Sequence, residues 1–84
     1  MAATSVVNVS KDRKLLANGS CLVQAKNALV QYDICVQAAK PAAQDSNYIS
    51  SDLANATIFD FGSSVWCRIN SGTYTNTSTL VVIA

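Results

Sequence analysis

Leu29-Val30-Gln31-Tyr32-Asp33-Ile34-Cys35-Val36-Gln37-Ala38-Ala39 decides the fold. Val30, Tyr32, Ile34, Val36 and Ala38 alternate with Gln31, Asp33, Cys35 and Gln37, the period of a strand. Helical spacing would instead carry Asp33 and Gln37 in among the apolar side chains. The stretch therefore reads as a long strand with Val30, Ile34 and Val36 in the core and Tyr32 beside them. Lys40-Pro41 ends it, because proline cannot continue a central ladder.

Working outward, short β-type runs alternate with turn signals on both sides. Ser5 to Val9 is a first strand, and Lys11 to Lys14 a solvated charged loop. Asn18-Gly19 is a turn, since both residues tolerate positive φ. Ser20 to Lys26 is a second strand, and Asn27-Ala28 turns into Leu29. Beyond Pro41, residues 42 to 52 form a loop with a short strand at Tyr48-Ile49. Thr57 to Phe61 is a strand with Phe59 and Phe61 on one face. Gly62-Ser63 turns into Ser64 to Asn70, which places Val65, Cys67 and Ile69 opposite Trp66 and Arg68. Asn70-Ser71-Gly72 is another turn, and Ser78 to Ala84 a closing β-branched strand. The pattern predicts an all-β fold, a small antiparallel β-sandwich or barrel of about seven strands with no helix longer than about two turns.

The chain has 84 residues, enough for a single domain. One core of that size rarely supplies more than about 3–5 kcal/mol without disulfide, metal or partner. The cysteines, Cys21, Cys35 and Cys67, are odd in number, and the Met1-Ala2-Ala3-Thr4-Ser5 start lacks the features of a signal peptide. They are expected to be reduced thiols in a protein made in the cytoplasm. With no histidine and no Cys-x-x-Cys pair, no metal or other cofactor is expected. Elimination leaves association with other subunits as the stabiliser.

Half of the residues are hydrophobic and 13% are charged, against about 25–35% on the surface of a small free domain. A low-charge surface suits life in an assembly; an abundance of Ser, Thr and Asn accounts for it equally well. Net charge is +1, which gives no general attraction to nucleic acid or to an anionic membrane. The charges are sorted along the chain: Lys11, Arg13, Lys14, Lys26 and Lys40 precede Asp45, Asp52 and Asp60. Such a split favours head-to-tail contact between copies, although chance also produces it.

Catalytic constellations are absent. Without histidine there is no Ser-His-Asp or Cys-His arrangement, and there is no glutamate; an acid pair would need two of the five scattered aspartates. No enzyme activity is expected. Asn8, Asn18, Asn55 and Asn76 open Asn-x-Ser/Thr triplets, which a chain this rich in Ser, Thr and Asn makes freely. The candidate interface residues are Val6, Val7 and Val9 on the first strand, Trp66 and Arg68 on one strand face, and Tyr74 at a loop tip. Trp and Arg are enriched at interfaces, but a tryptophan packed on one side of the sandwich is the plainer reading of Trp66.

Three stretches together resemble a family: Cys21-Leu22-Val23-Gln24; Val36-Gln37-Ala38-Ala39-Lys40-Pro41-Ala42-Ala43-Gln44-Asp45-Ser46; and Val65-Trp66-Cys67-Arg68, followed by Gly72 and Leu80-Val81-Val82. They resemble the small β proteins encoded among the structural genes of tailed bacteriophages, over residues 20 to 84. The resemblance implies a virion component on the capsid surface: a head decoration (cement) protein that binds the major capsid protein, and often a trimer. Residues 1 to 19, the first strand and charged loop, have no counterpart there. They are expected either to close the domain's own sheet or to add to an exposed edge of a neighbour. Two further readings are a carbohydrate-binding β-sandwich displayed on a virion as a knob or head fibre, and a free intracellular adaptor domain. Any contact between copies is expected to be mainly apolar and little affected by salt.

Overall fold

The computed structural model describes residues 3–26 and 30–84. The expected turn at Asn27-Ala28 and the first residue of the Leu29 run lie outside these. Eight strands are present among the described residues: β1 (Thr4–Val9), β2 (Lys14–Ala17), β3 (Cys21–Ala25), β4 (Tyr32–Val36), β5 (Ile49–Ser51), β6 (Thr57–Phe59), β7 (Val65–Ile69) and β8 (Ser78–Ile83). No helix occurs among the described residues.

The strands form two antiparallel sheets of four, ordered β1-β8-β3-β6 and β2-β7-β4-β5. In the pairs β1–β8, β2–β7, β3–β6 and β4–β5, first meets last and each next strand meets the one before it. The chain is thus one antiparallel ribbon, folded so that β8 also pairs with β3 and β7 with β4. This strand order is that of a jelly roll.

Alternation builds the core. Val9, Val23, Leu80 and Val82 from the first sheet meet Tyr32, Ile34, Val65, Cys67 and Ile69 from the second. The Tyr32 hydroxyl is buried in this core and shares a 2.6 Å hydrogen bond with Ser78 Oγ. Leu53 holds a left-handed φ of 51°. Its buried side chain and the bond from Ala25 N–H to its carbonyl (2.9 Å) offset the cost of that conformation.

Four expectations change in detail. The count is eight because Lys14–Ala17 pairs with β7, so Lys14 opens a strand rather than closing a loop. Arg13, placed in the solvated loop by its charge, is only 4% exposed. The long central strand is ordered as β4 over Tyr32–Val36 alone. Beyond it the Gln37 side chain donates to Ala39 O (2.8 Å) and Gln37 O accepts from Trp66 Nε1 (3.0 Å), which turns the chain away. Finally, Phe59 and Phe61 do not share a sheet face. β6 stops at Phe59, the Asp60 carboxylate accepts the Ser20 hydroxyl, and Gly62 turns at a φ of 69°. Phe59 is buried and Phe61 is exposed.

Candidate functional site

The first strand closes its own sheet. β1 pairs with β8 along its whole length, from Thr4 opposite Ile83 to Val9 opposite Ser78. Beyond the strand ends, Ala3 and Ala84 exchange two backbone hydrogen bonds, of 2.8 and 3.1 Å. Val9 is in the core and Val7 packs against it, whereas Val6 faces out. Because β1 ends its sheet, its other edge is unpaired among the described residues.

Trp66 and Arg68 lie on the outer face of the second sheet, as their alternation requires, and hold a loop there. Trp66 donates to Gln37 O. Arg68 donates from Nε to Asp33 Oδ2 (3.0 Å) and from Nη1 to Ala43 O. Asp33 is buried on the same face and also accepts from Asn70 Nδ2 (2.8 Å) and Ser50 Oγ (3.3 Å). Two guanidinium groups lie over the Tyr48 ring, with Arg13 Cζ 5.7 Å and Arg68 Cζ 5.4 Å from its centroid. Arg13 also donates from Nη2 to Asp45 O (3.1 Å), while its Nε and Nη1 are buried without a partner among the described residues. The stretch from Gln37 to Tyr48 is therefore bolted across the sheet by two arginines, a tryptophan and a tyrosine. These contacts hold the loop against the sheet.

Tyr74 is fully exposed in the loop between β7 and β8. That loop is steadied from the β1–β2 connection, where Lys11 Nζ donates to Thr73 O (2.8 Å) and Ser71 O (3.4 Å). Tyr74 lies past the end of β7 in the β7–β8 loop rather than on the Trp66–Arg68 face, and the valines lie on β1 of the other sheet, so the candidate residues form three places rather than one site.

The sequence reading missed a fourth place. At the side of the sandwich where β5 and β6 end their sheets, the two layers part into an open cleft of about 750 Å³. Ile34, Val36, Tyr48, Ile49, Phe59 and Phe61 line it. Ile49 and Phe61 also reach solvent, as does Ile58 on the outside of β6; Ile58 and Phe61 are each 71% exposed. Exposed apolar groups gathered around an apolar cleft mark an interaction surface, where single scattered ones would not. The available signal was Phe61, an aromatic residue two places beyond a core phenylalanine and next to a glycine turn.

All three thiols are free and buried. Burial pushes Cys67 up to about 12 from an ordinary 9.0, with the nearby Asp33 carboxylate adding to the rise and Arg13 opposing it. The native thiol keeps its proton where the unfolded one has lost it, so stability falls as pH rises from 9 towards 12. Burial raises Cys21 and Tyr32 in the same direction. Urea midpoints measured at neutral pH and within that alkaline window are expected to drop less in Cys67→Ala than in the unsubstituted protein. An equal drop would remove Cys67 as a cause.

No group of three or more Cys, Asp, His or Glu side chains gathers for a metal among the described residues. No protein-family model, curated protein or solved structure matches this chain.

Proposed function

We propose that this chain is a non-enzymatic structural subunit of a bacteriophage virion, a decoration protein that binds the major capsid protein on the head shell and associates with its own copies. The observation that carries an assembly role is the apolar cleft between β5 and β6, lined in part by the exposed Ile49 and Phe61, in a chain with few charges. A protein acting alone would leave that surface wet at a free-energy cost of about 25 cal/mol per Å². The assignment to a virion rests on the resemblance of residues 20 to 84. The jelly-roll order supports it by analogy of fold, since capsid domains are one of the classes built this way.

β1 is committed to its own sheet and the Trp66–Arg68 face is covered by the 37–48 loop, which leaves the Tyr74 end of the sandwich for the shell. The same geometry disfavours a sugar platform, because Trp66 and Tyr48 are engaged within the fold and Tyr74 stands alone. Co-sedimentation with purified phage heads tests the proposal. Binding is expected, and Tyr74→Ala should lower occupancy about tenfold, the scale of an aromatic contact residue, with an unchanged melting temperature. Heads that stay bare at saturating protein would defeat the virion assignment.

A further inference from the structure

The free backbone groups of β1 have a fixed phase. Ala3 and Ala84 exchange both of their backbone hydrogen bonds and are thus a hydrogen-bonded pair of the antiparallel ladder. Such pairs recur at every second residue, so Ser5, Val7 and Val9 turn their N–H and C=O groups towards β8. Thr4, Val6 and Asn8 turn theirs away from it, and these groups have no backbone partner among the described residues. The far side of β8 keeps the same phase: Lys26 N–H donates to the carbonyl of Thr79, the residue opposite Asn8.

We propose that β1 pairs with β1 of a second copy, antiparallel about a two-fold axis through Val6. This rests on the self-association within the proposed function and names its surface.

The free phase sets the register. With Val6 opposite Val6 of the second copy, Thr4 falls opposite the second copy's Asn8, and Asn8 opposite its Thr4. All three outward residues then sit in hydrogen-bonded pairs, each exchanging both bonds. Sliding by two residues opposes Val6 to Thr4 or Asn8 and leaves an outward residue of β1 without a partner. Sliding by one residue turns each side chain to the wrong face.

The side chains favour the same register and select a second copy as occupant. On the outer face Thr4, Val6 and Asn8 read polar, apolar, polar, so reversal about Val6 leaves the pattern unchanged. Val6, 60% exposed in the single chain, meets its own copy as a β-branched pair, and Thr4 meets Asn8. On the inner face Ser5 meets the half-buried Val7. β1 carries no charge, so it brings no like-charge repulsion to a pairing with itself.

The other sheet edges are blunted. β5 and β6 have three residues each, and β2 opens on Lys14 and is bulged between Leu15 and Ala17. Brevity, charge and bulges discourage pairing, whereas β1 runs for six residues with no charge, proline or bulge. The seam is therefore confined to the first sheet, which continues across the axis into its copy. Pairing of this kind occupies both β1 edges and closes as a dimer, not as the trimer that the resemblance implies.

Because position 6 meets itself on the axis, opposite charges placed there test the seam by sedimentation. The unsubstituted chain is expected to form a weak, concentration-dependent dimer, since one strand pair is a small interface. Val6→Asp and Val6→Lys each set like charges face to face and should weaken dimerisation roughly three- to tenfold. An equimolar mixture of the two should recover it, because unlike charges then meet, and recovery also shows that both variants are folded. Phe61→Asp, an exposed position beyond β6, should change nothing. A second measurement needs no variant: nuclear magnetic resonance on a mixture of isotope-labelled and unlabelled chain should show contacts between Thr4 of one copy and Asn8 of the other. A monomer at the highest concentrations, a trimer, a mixture that associates no better than its components, or contacts between copies that leave out β1 would overturn the proposal. Head binding is read separately. A dimer that leaves heads bare defeats only the virion assignment, and a monomer that coats heads defeats only the seam.

Discussion

Removal of residues 3–10 is expected to abolish cooperative folding. The deletion takes away β1 and with it Val9, a fully enclosed side chain whose burial contributes about 1.5–3 kcal/mol. It also removes the backbone pairing along β8, at roughly 1 kcal/mol for each net hydrogen bond. Ser10 O, which accepts from Ile69 N–H (2.8 Å), is lost as well. β8 would become an edge strand with its apolar inner face half uncovered. Against about 3–5 kcal/mol for a domain of this size, these losses exceed the whole. The truncated chain should show a broad, baseline-like thermal trace and lose its near-ultraviolet signal. A sharp transition in the truncated chain would make β1 a dispensable arm, and the end of the sandwich would no longer be the only face left for a shell.

Arg68→Ala is expected to be nearly as damaging, through the carboxylate it leaves behind. Asp33 has a side chain 2% exposed, and among the described residues Arg68 supplies its only cationic partner. Taking away one member of a buried pair typically costs about 3–5 kcal/mol, because the remaining charge stays out of water. Asn70 and Ser50 still donate to Asp33, which sets the loss towards the lower figure. The substitution also frees Ala43 O and removes a guanidinium from over the Tyr48 ring, so the 37–48 loop should loosen. Replacing both members with apolar residues, Asp33→Leu with Arg68→Met, should recover most of the stability. Urea midpoints at constant slope measure each step. A cost below about 1 kcal/mol for Arg68→Ala would mean that the pair behaves as a surface bridge.

What the sequence disclosed followed from alternation. Val65, Cys67 and Ile69 stand inward and Trp66 and Arg68 outward, as their period requires, and Ser78 to Ile83 forms the strand its branched side chains favour. β2 was illegible because Lys14-Leu15-Leu16-Ala17 does not alternate: a bulge between Leu15 and Ala17 breaks the register that alternation would display. Arg13 and Asp33 were hidden for a different reason. Charge is a good guide to exposure only until the charged groups are covered: Arg68 pairs with Asp33, and both arginines pack against Tyr48 of the covering loop, which brings together residues far apart in sequence. The cleft is likewise a property of two layers parting, to which Ile34, Ile49 and Phe61 contribute from three separate segments.

The position of β8 sets a schedule for synthesis. It is the last of the eight strands to leave the ribosome, yet it lies between β1 and β3 and joins them into one sheet. Until it emerges, the nascent chain holds β1 with no strand to pair with and β3 with only the three-residue β6 beside it. The first sheet therefore assembles after translation has passed residue 83, in one late step that closes a loop of nearly the whole chain, and such distant pairing is slow. During that wait the uncharged β1 segment is exposed in the company of identical segments on neighbouring ribosomes of the same message. A chaperone that shields short valine-rich segments would raise the yield of this protein more than one that acts on completed chains.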